Sequence, residues 1–520
     1  MSGPVPELDE RATACAERLA AADRVLVASH IDADGLTSAA VAASMLRRAG
    51  IPHEVNFEKQ LDEQAVARIA ATDYDTVLFT DFGSGQLPHV HEHVTAGDFE
   101  AVIADHHQPA APEGVDPADL DYHLNPLSFG IDGAAELSGA GTTYVLARAL
   151  AATADTAAYT DGGVTTDDGG AADDGATTDG GAGAEDNRDL AALAVVGAIG
   201  DMQASDGELV GANAAIVEEG VEAGVLEEGT DLALYGTQTR PLPKLLEYAG
   251  DVPIPGVTGD ESGAIRFLDG LDVDLKADGE WRRWVDLTDD EKREVASALV
   301  QRAVSRGVPA DRVNALVGTT YVLAEEEPGT ELRDASEFST LLNATARYER
   351  ADVGLAVCLG DRGEAYDSAR KLLRNHRRNL SRGIDMVEQE GVEQAEHVQW
   401  FHAGDRIRET IVGIVAGMAM GADGVRGDKP IVALAETDET IAVDDGDEER
   451  QVDAVKVSAR ATHHLVRQGV DLSTVMSEAA AAVGGEGGGH DVAAGATVPA
   501  GRESDFVAAA DEIVAEQRDQ

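Results

Sequence analysis

The sequence is poor in cysteine, in aromatic residues, in basic residues and in long apolar runs. Its two cysteines, Cys15 and Cys358, lie far apart and match no metal or disulfide spacing. It has no run of about 18 uncharged apolar residues, so no membrane span is predicted. Aromatics make up only 4% of the 520 residues against 43% hydrophobic residues, so the cores must consist mainly of Ala, Val, Leu and Ile. The N-terminus carries acids where a signal peptide carries bases, and we expect a cytoplasmic protein.

Basic residues are scarce relative to acids. The chain has 40 Lys and Arg against 97 Asp and Glu, a formal net charge of −57. In dilute salt such a charge would repel nucleic acid. The acids are spread over the whole chain, however, as in proteins from salt-loaded cytoplasms, where a Debye length of about 3 Å suppresses long-range repulsion. We therefore predict a halophilic origin, and the net charge does not exclude a nucleic-acid substrate.

Short apolar runs alternate with amphipathic segments from residue 24 onward. The runs "RVLVASH", "HEVNFE", "TVLFTDFG" and "FEAVIADHH" have the pattern of strands, and helical patterns separate them. This order is typical of an α/β domain with a parallel sheet covered by helices on both faces. We predict such a domain over residues 1–240, an accessory and mostly helical region over 241–365, a long connecting helix over 366–390, and a smaller α/β domain over 391–520.

Residues 152–188 consist largely of Gly, Ala, Thr and Asp and have almost nothing to bury. This composition predicts a disordered acidic insertion. A calcium-binding acidic loop is the alternative, but the segment lacks a regular ligand spacing.

Acids and histidines follow the apolar runs where parallel strands would end. They are His30, Asp32 and Asp34, then Asp81, then Asp105, His106 and His107, and finally Asp201 after "VVGAIG". Ligands gather at the carboxyl ends of parallel strands. So many carboxylates in one place would repel each other unless cations bind them. Oxygen ligands with one or two imidazoles favour Mn²⁺ or Mg²⁺ over zinc. With four aspartates, one can bridge two ions about 3.5–4 Å apart, an arrangement that activates water for phosphoryl chemistry.

The segments "SHIDADGLTSA", "FTDFGS", "ADHHQP" and "GAIGDMQ", in this order, resemble the four motifs of the DHH phosphoesterase superfamily. Within it the chain is most similar to archaeal RecJ-like single-strand exonucleases, through "YHLNP", "SGAGTTYVLARAL", "STLLNATAR" and "GGEGGGHDVAAGATVP". The resemblance implies a metal-dependent phosphodiesterase that degrades single-stranded DNA or RNA from an end, with two divalent ions, Mn²⁺ foremost or Mg²⁺. It makes residues 1–240 the DHH domain and 391–520 the DHH-associated C-terminal domain. Replication or repair proteins are expected as further partners.

The resemblance also implies two ion sites that share Asp81. The first ion would be held by Asp32 and Asp81, with His30 as a further candidate ligand. The second would be held by Asp34, Asp81, His106 and Asp201. His107 is implied as a donor to the scissile phosphate or to the leaving oxygen. Asp105 either binds metal or orients a neighbouring histidine.

Glycines near the end of the sequence would let backbone N–H groups approach an anion closely. The run "GGEGGGH" ends in Gly487, Gly488, Gly489 and His490. A flexible linker can have the same composition. Upstream, Ser458 and Arg460 alternate in "KVSAR", and Arg460 supplies a planar fork suited to phosphate. By resemblance to the DHH-associated domain, these residues would grip the phosphates or terminal base of the substrate.

The connecting helix reverses the charge of the chain locally. Between Asp367 and Asp385 it has no acid and six bases. Helical spacing places Arg370, Arg374, Arg377 and Arg378 along one side. Either these bases pair with surrounding acids or they line a cleft that tracks a nucleic-acid backbone. We predict substrate binding by Arg374, Arg377 and Arg378.

Two other functions stay open. An enzyme of the same chemistry could act on small substrates, either oligoribonucleotides or cyclic dinucleotides, but the known examples resemble shorter two-domain chains. A replication scaffold with little activity is the second, since the superfamily includes one that has lost metal ligands. The intact motifs here argue against a purely structural role.

Overall fold

The computed structural model describes residues 3–161, 186–204, 207–250, 252–422, 424–444 and 449–518. The chain divides into two compact units, Met1–Arg370 and Lys371–Gln520. Among the described residues, no helix combines the length and the apolar character that crossing a bilayer requires.

Most of the predicted insertion, residues 162–185, lies outside the described residues. The prediction of disorder was wrong at its start, because residues 152–161 continue the helix Gly139–Asp161. Extending an existing helix needs no new nucleus, and this stretch is rich in alanine, the strongest helix former. At the other end, Asn187 is buried and donates to the Ala147 carbonyl at 2.7 Å.

The first part of unit 1 is a parallel five-stranded sheet with the strand order β2-β1-β3-β4-β5. Its strands are β1 (Val25–His30), β2 (His53–Glu58), β3 (Thr76–Thr80), β4 (Glu100–Ala104) and β5 (His123–Leu124). The helices of this part of unit 1 are α1 (Asp9–Ala20), α2 (Ala33–Arg48), α3 (Glu63–Ala70), α4 (Leu87–Ala96), α5 (Gly139–Asp161), α6 (Ala191–Gly200) and α7 (Gly211–Glu222). The predicted α/β class with a parallel sheet is confirmed.

The inner strands β1 and β3 are mostly apolar and buried, because helices cover them, whereas the edge strand β2 is only partly buried. On one face, Leu26 of β1 and Phe79 of β3 pack with Val66 of α3 and Val90 of α4 in a single core. Phe79 is fully buried, which stabilises the fold by about 1.5–3 kcal/mol relative to an exposed ring. Polar side chains are therefore left to the strand ends, where the candidate site lies.

The second part of unit 1 has its own core, built around the buried Trp284. Helices α8 (Leu242–Glu247), α9 (Glu261–Leu268), α10 (Asp289–Ser305) and α11 (Ala310–Asn314) contribute to this core. Helix α12 (Ala335–Arg347) packs instead against α2 and α6, and α13 (Ala351–Cys358) packs against α2. Two antiparallel strand pairs accompany them: β6 (Leu226–Leu232) with β9 (Val317–Leu323), and β7 (Lys276–Ala277) with β8 (Glu280–Trp281). The predicted domain boundaries remain a proposal.

A long helix, α14 (Glu364–Glu390), crosses the division between the units, and a smaller α/β fold follows. Its six-stranded sheet has the order β10-β11-β12-β13-β15-β14. The strands are β10 (Glu393–Gln394), β11 (Gln399–His402), β12 (Ile431–Asp444), β13 (Glu449–Arg460), β14 (Glu486–Gly489) and β15 (Ala493–Pro499). The helices are α15 (Glu409–Ala419), α16 (His463–Val466), α17 (Leu472–Ala482) and α18 (Glu503–Arg518). The predicted C-terminal α/β fold after a long helix is confirmed.

Candidate metal centre

The carboxyl edge of the parallel sheet gathers the predicted acids and histidines. β1 ends at His30, Asp81 follows β3 directly, Asp105 follows β4 directly, and Asp201 follows the last residue of α6. β1, β3 and β4 are successive neighbours in the sheet. Since parallel strands end at the same edge, side chains far apart in sequence meet there.

A first donor set consists of His30, Asp32 and Asp81, whose ligating atoms all lie within 4.8 Å of one another. His30 Nδ1 is 3.2 Å from Asp32 Oδ2 and 3.6 Å from Asp81 Oδ2. Asp32 Oδ1 accepts from the Gly35 N–H at 3.0 Å and so caps α2, which leaves Oδ2 for the site. Burial opposes protonation of His30, but the two carboxylates outweigh it and raise the pKa of His30 to about 11.

A second donor set, with the same spread of its ligating atoms, consists of Asp34, His106 and Asp201. His106 lies 3.8 Å from Asp34 Oδ2 through Nε2 and 3.8 Å from Asp201 Oδ2 through Nδ1. Burial, and then the charges of Asp81 and Asp201, raise the pKa of Asp34 well above its usual range. Burial, and then Asp81, raise the pKa of Asp201 to about 6 against the opposing effect of His106. A bound cation would therefore stabilise the ionised forms of Asp34 and Asp201.

Asp81 faces both sets. Its Oδ1 is 3.3 Å from His106 Nε2, and its Oδ2 is 3.6 Å from His30 Nδ1. Burial would raise the pKa of Asp81, but the neighbouring imidazoles of His106 and His30 hold it well below the usual range. Its backbone has φ 60°, a left-handed conformation that Asp and Asn tolerate better than other non-glycine residues. This turn directs the carboxylate between the two sets, as a bridging ligand requires.

His106 is oriented as a metal ligand would be. Its Nδ1 donates to the Gly133 carbonyl at 2.6 Å, which leaves Nε2 facing the carboxylates. Within the described residues, Nε2 is buried and makes no hydrogen bond. A buried polar atom without a partner is costly, and a cation at this point removes that cost. Imidazole nitrogen among carboxylate oxygens suits Mn²⁺ or Mg²⁺, so the residues present fit the implied ions.

Asp105 and His107 form a hydrogen-bonded pair, and each offers a ligating atom within 4.8 Å of those of Asp81 and His106. The fully buried Asp105 accepts through Oδ1 from His107 Nδ1 at 2.8 Å and from two backbone N–H groups, and through Oδ2 from the Ser84 N–H at 2.8 Å. Burial would raise the pKa of Asp105, but the hydrogen bond from His107 holds it well below the usual range. The same bond raises the pKa of His107, whose side chain is 53% exposed. With both oxygens engaged, Asp105 is placed to orient His107.

Sequence reasoning missed residues that hold the ligands. Gln203 Nε2 donates to Asp201 Oδ2 and to the Gly133 carbonyl, each at 2.8 Å. Asn343 Oδ1 accepts from the N–H of Ala33, between two predicted ligands, at 3.2 Å. Gln203 and Asn343 both lie within segments that carry the family resemblance, and this was the available signal. Their partners could not be read from the sequence.

The predicted substrate-binding residues of the C-terminal unit lie on or directly after β13 and β14, the two strands on either side of β15. β15 pairs with both β13 and β14, so that Ser458, Gly495 and Gly488 form one row across three strands. Arg460 Nη1 donates to Ser458 Oγ at 3.1 Å. The rest of the glycine-rich set, Gly487, Gly489 and His490, lies on β14 or directly after it.

The basic residues of α14 differ from one another. Arg370 forms an ion pair with Glu331 at 3.2 Å, as the surface-pairing alternative expects. Arg374 and Arg378 are exposed, and Arg377 is half-buried.

Three stretches of the chain match known domain families. Residues 24–161 match the DHH family, N-terminal domain, residues 234–317 match the DHH-CID domain, and residues 397–516 match the DHHA1 domain. The chain belongs to the DHH superfamily of phosphoesterases.

The comparisons extend over nearly the whole chain. It is 26% identical to the uncharacterized protein MJ0831 of Methanocaldococcus jannaschii, over 95% of this chain and 94% of that protein. Its fold is similar to RecJ from Thermus thermophilus in complex with Mn²⁺, with a TM-score of 0.56 and 17% identity. The match covers 99% of this chain but only 56% of that RecJ chain. It is also similar to CDC45 from Entamoeba histolytica, with a TM-score of 0.59, 11% identity and coverage of 98% and 97% of the two chains.

Proposed function

We propose that the protein is a metal-dependent exonuclease of the RecJ type that hydrolyses single-stranded nucleic acid, DNA or RNA, from an end. The observation that carries the proposal is the position of Asp81 between the two donor sets. One of its carboxylate oxygens faces His30 of the first set, and the other faces His106 of the second.

The proposed ligands are Asp32, Asp81 and His30 for one ion and Asp34, Asp81, His106 and Asp201 for the other, with Mn²⁺ preferred over Mg²⁺. When bound, two such ions supply an activated water and neutralise charge on the phosphoryl group. The buried amides of Gly139 and Ala140, which donate to Asp34 at 2.7 and 3.0 Å, keep that carboxylate turned toward His106.

His107 is the proposed proton donor to the leaving oxygen. Its Nδ1 is held by Asp105, so the ring has one fixed edge, and its half-exposed side chain can reach a bound substrate. As the P–O bond breaks, the proton of His107 Nε2 passes to the departing oxygen, which leaves as a hydroxyl.

The C-terminal residues are proposed to hold the strand. Ser458 and Arg460 with Gly487, Gly488, Gly489 and His490 would bind its phosphates or terminal base, and Arg374, Arg377 and Arg378 would track its backbone. Glycines in the row with Ser458 have no side chain, so a substrate group can lie close to the sheet backbone.

A cleavage ladder tests the proposal. Single strands of DNA and RNA of about 20 nucleotides, longer than common single-strand site sizes, are labelled at either end and incubated with Mn²⁺ in molar KCl. Dinucleotides are tested in parallel, and Asp81→Asn is the control. We expect stepwise products from long strands with the wild type only, which also gives polarity and sugar preference. Hydrolysis confined to dinucleotides would move the assignment to a small-substrate phosphodiesterase.

The fold similarity to CDC45 favours a second candidate, a scaffold for replication or repair proteins with little activity. Absence of metal-dependent cleavage of any substrate in the same assay would support it.

A further inference from the structure

A group of buried polar side chains lies behind the Asp105–His107 pair and has no part in the donor sets. Ser84 follows β3, His123 begins β5, and Asn125 follows β5. In the register of the sheet, Ala104 pairs with Leu124, and the Asp105 N–H donates to the Leu124 carbonyl at 3.1 Å. The short strand β5 thus brings His123 and Asn125 alongside the end of β4.

Two of these residues reach the pair directly, Ser84 through its backbone N–H and Asn125 through its side chain. The Ser84 N–H donates to Asp105 Oδ2 at 2.8 Å. Asn125 Nδ2 donates to the His107 carbonyl at 2.9 Å and to Ser84 Oγ at 2.8 Å. One amide group therefore ties the backbone of His107 to the residue that holds Asp105.

The protons of the group have a single consistent arrangement. Asn125 Oδ1 accepts from the Leu127 N–H at 2.9 Å, which fixes the orientation of the amide. Ser84 Oγ accepts from Asn125 and so gives its own proton to His123 Nε2, 2.9 Å away. His123 is then neutral, with Nδ1–H donating to the Pro117 carbonyl at 3.2 Å. Burial lowers the pKa of His123, in agreement with the neutral ring.

Burial separates this group from the reacting atoms. Ser84 and Asn125 are 0% exposed and His123 is 1% exposed, whereas the side chain of His107 is 53% exposed. A fully satisfied buried network is rigid, since breaking any one bond leaves a desolvated partner. The group can act on a substrate only through His107.

We infer that Ser84, His123 and Asn125 are positioning residues, which fix the Asp105–His107 pair for proton donation to the leaving oxygen. The inference rests on the proposed function, and it predicts a specific loss. If His107 is poorly positioned, hydrolysis should slow only for substrates whose leaving group needs a proton. An ester with a p-nitrophenolate leaving group departs without one.

The test compares two substrates, a thymidine dinucleotide and the p-nitrophenyl ester of thymidine 5′-monophosphate. Ser84→Ala removes only the hydroxyl and keeps the N–H that binds Asp105, and Asn125→Ala removes both side-chain donations. On the dinucleotide we expect kcat to fall on the order of 10–100-fold, the usual effect of supporting partners. KM, Mn²⁺ affinity and turnover of the p-nitrophenyl ester should stay near the wild-type values. Ser44→Ala, a buried serine on α2, is the matched control.

The variant His107→Ala distinguishes a failure of the inference from a failure of the proposed function. If His107→Ala loses dinucleotide turnover selectively while Ser84→Ala and Asn125→Ala do not, the positioning role is overturned and the function stands. Equal loss on both substrates in the Ser84 and Asn125 variants also overturns it, because that is the result of general structural damage. If His107→Ala itself shows no selectivity, the proton-donor role fails and the inference with it.

Discussion

Replacing Asp81 with asparagine tests whether one carboxylate serves both donor sets. Asparagine has the same shape and tolerates the left-handed backbone of this residue, φ 60°, whereas alanine there would cost about 1–2 kcal/mol. The change turns the carboxylate into a neutral amide with a single oxygen, so neither set keeps a charged oxygen from Asp81, and we expect both ions to be lost. Asp201→Asn is the matched variant, because Asp201 belongs only to the second set.

The expected rise in Tm follows from the linkage between ion binding and folding. An ion that binds only the folded chain stabilises it by about 2.7 kcal/mol at a concentration 100 times its Kd. Unit 1 ends at Arg370, and about 2.1 cal/mol/K per residue then gives an unfolding entropy of about 0.8 kcal/mol/K. Each ion should therefore raise the Tm by about 3–4 °C. We expect a Mn²⁺-induced rise of about 7 °C for the wild type, about half of it for Asp201→Asn, and almost none for Asp81→Asn.

Two measurements test this. Calorimetric titration with Mn²⁺ gives the number of bound ions, and thermal unfolding with and without Mn²⁺ gives the rise in Tm. The expected stoichiometries are two for the wild type, one for Asp201→Asn and none for Asp81→Asn. Comparing each variant with its own metal-free form removes the effect of the substitution on the fold. If Asp81→Asn bound as many ions as Asp201→Asn, Asp81 would not be a bridging ligand.

Three further outcomes are expected. A Cβ at Gly139 would stand 2.5 Å from Asp81 Oδ1, so Gly139→Ala should weaken Mn²⁺ binding about 10–100-fold in titration; Gly229→Ala, which meets no atom within 4 Å, should not. Burial raises the pKa of Glu337 from 4.5 to about 7. Because the folded pKa lies above the unfolded one, the stability it contributes is lost as the pH rises through 7. Urea unfolding should therefore find Glu337→Gln more stable than the wild type by on the order of 3 kcal/mol at about pH 8, with the gain vanishing toward pH 4.5. Replacing three arginines of α14 together with alanine should weaken the binding of long single strands, lower the salt dependence of that binding and spare dinucleotide turnover. An equal loss on both substrates would mean that α14 has only a structural role. The residues replaced are Arg374, Arg377 and Arg378.

The parallel sheet could be predicted because short strand-like runs, most of them apolar, alternate with amphipathic helical patterns. "HEVNFE" corresponds to β2 residue for residue, and β3 covers the first five residues of "TVLFTDFG". The strand pair β6 and β9 could not be predicted in this way. "LEEGTDL" has exposed acids in its middle, and it is a strand only because it pairs with Val317–Leu323, far along the chain.

The candidate site shows the same division between local and distant information. Acids and histidines at strand ends have the residue types of metal ligands, so their convergence follows from the order of the strands. Ser84 and Gln203 are not of these types, and His123 begins its strand and does not follow its end. Their importance arises from partners on other elements, and only folding determines which hydrogen bond each of them makes.

The hydrogen bond from Ala33 to Asn343 joins residues that are 310 positions apart. During synthesis, the first acids of the two donor sets, Asp32 and Asp34, therefore leave the ribosome long before Asn343, which secures the turn between them. Asp201 also comes late, after the segment that follows α5. Cation uptake should be one of the last steps in the maturation of unit 1. A chain released before α12 is made would carry all the proposed ligands and still lack the hydrogen bond that secures the turn between Asp32 and Asp34.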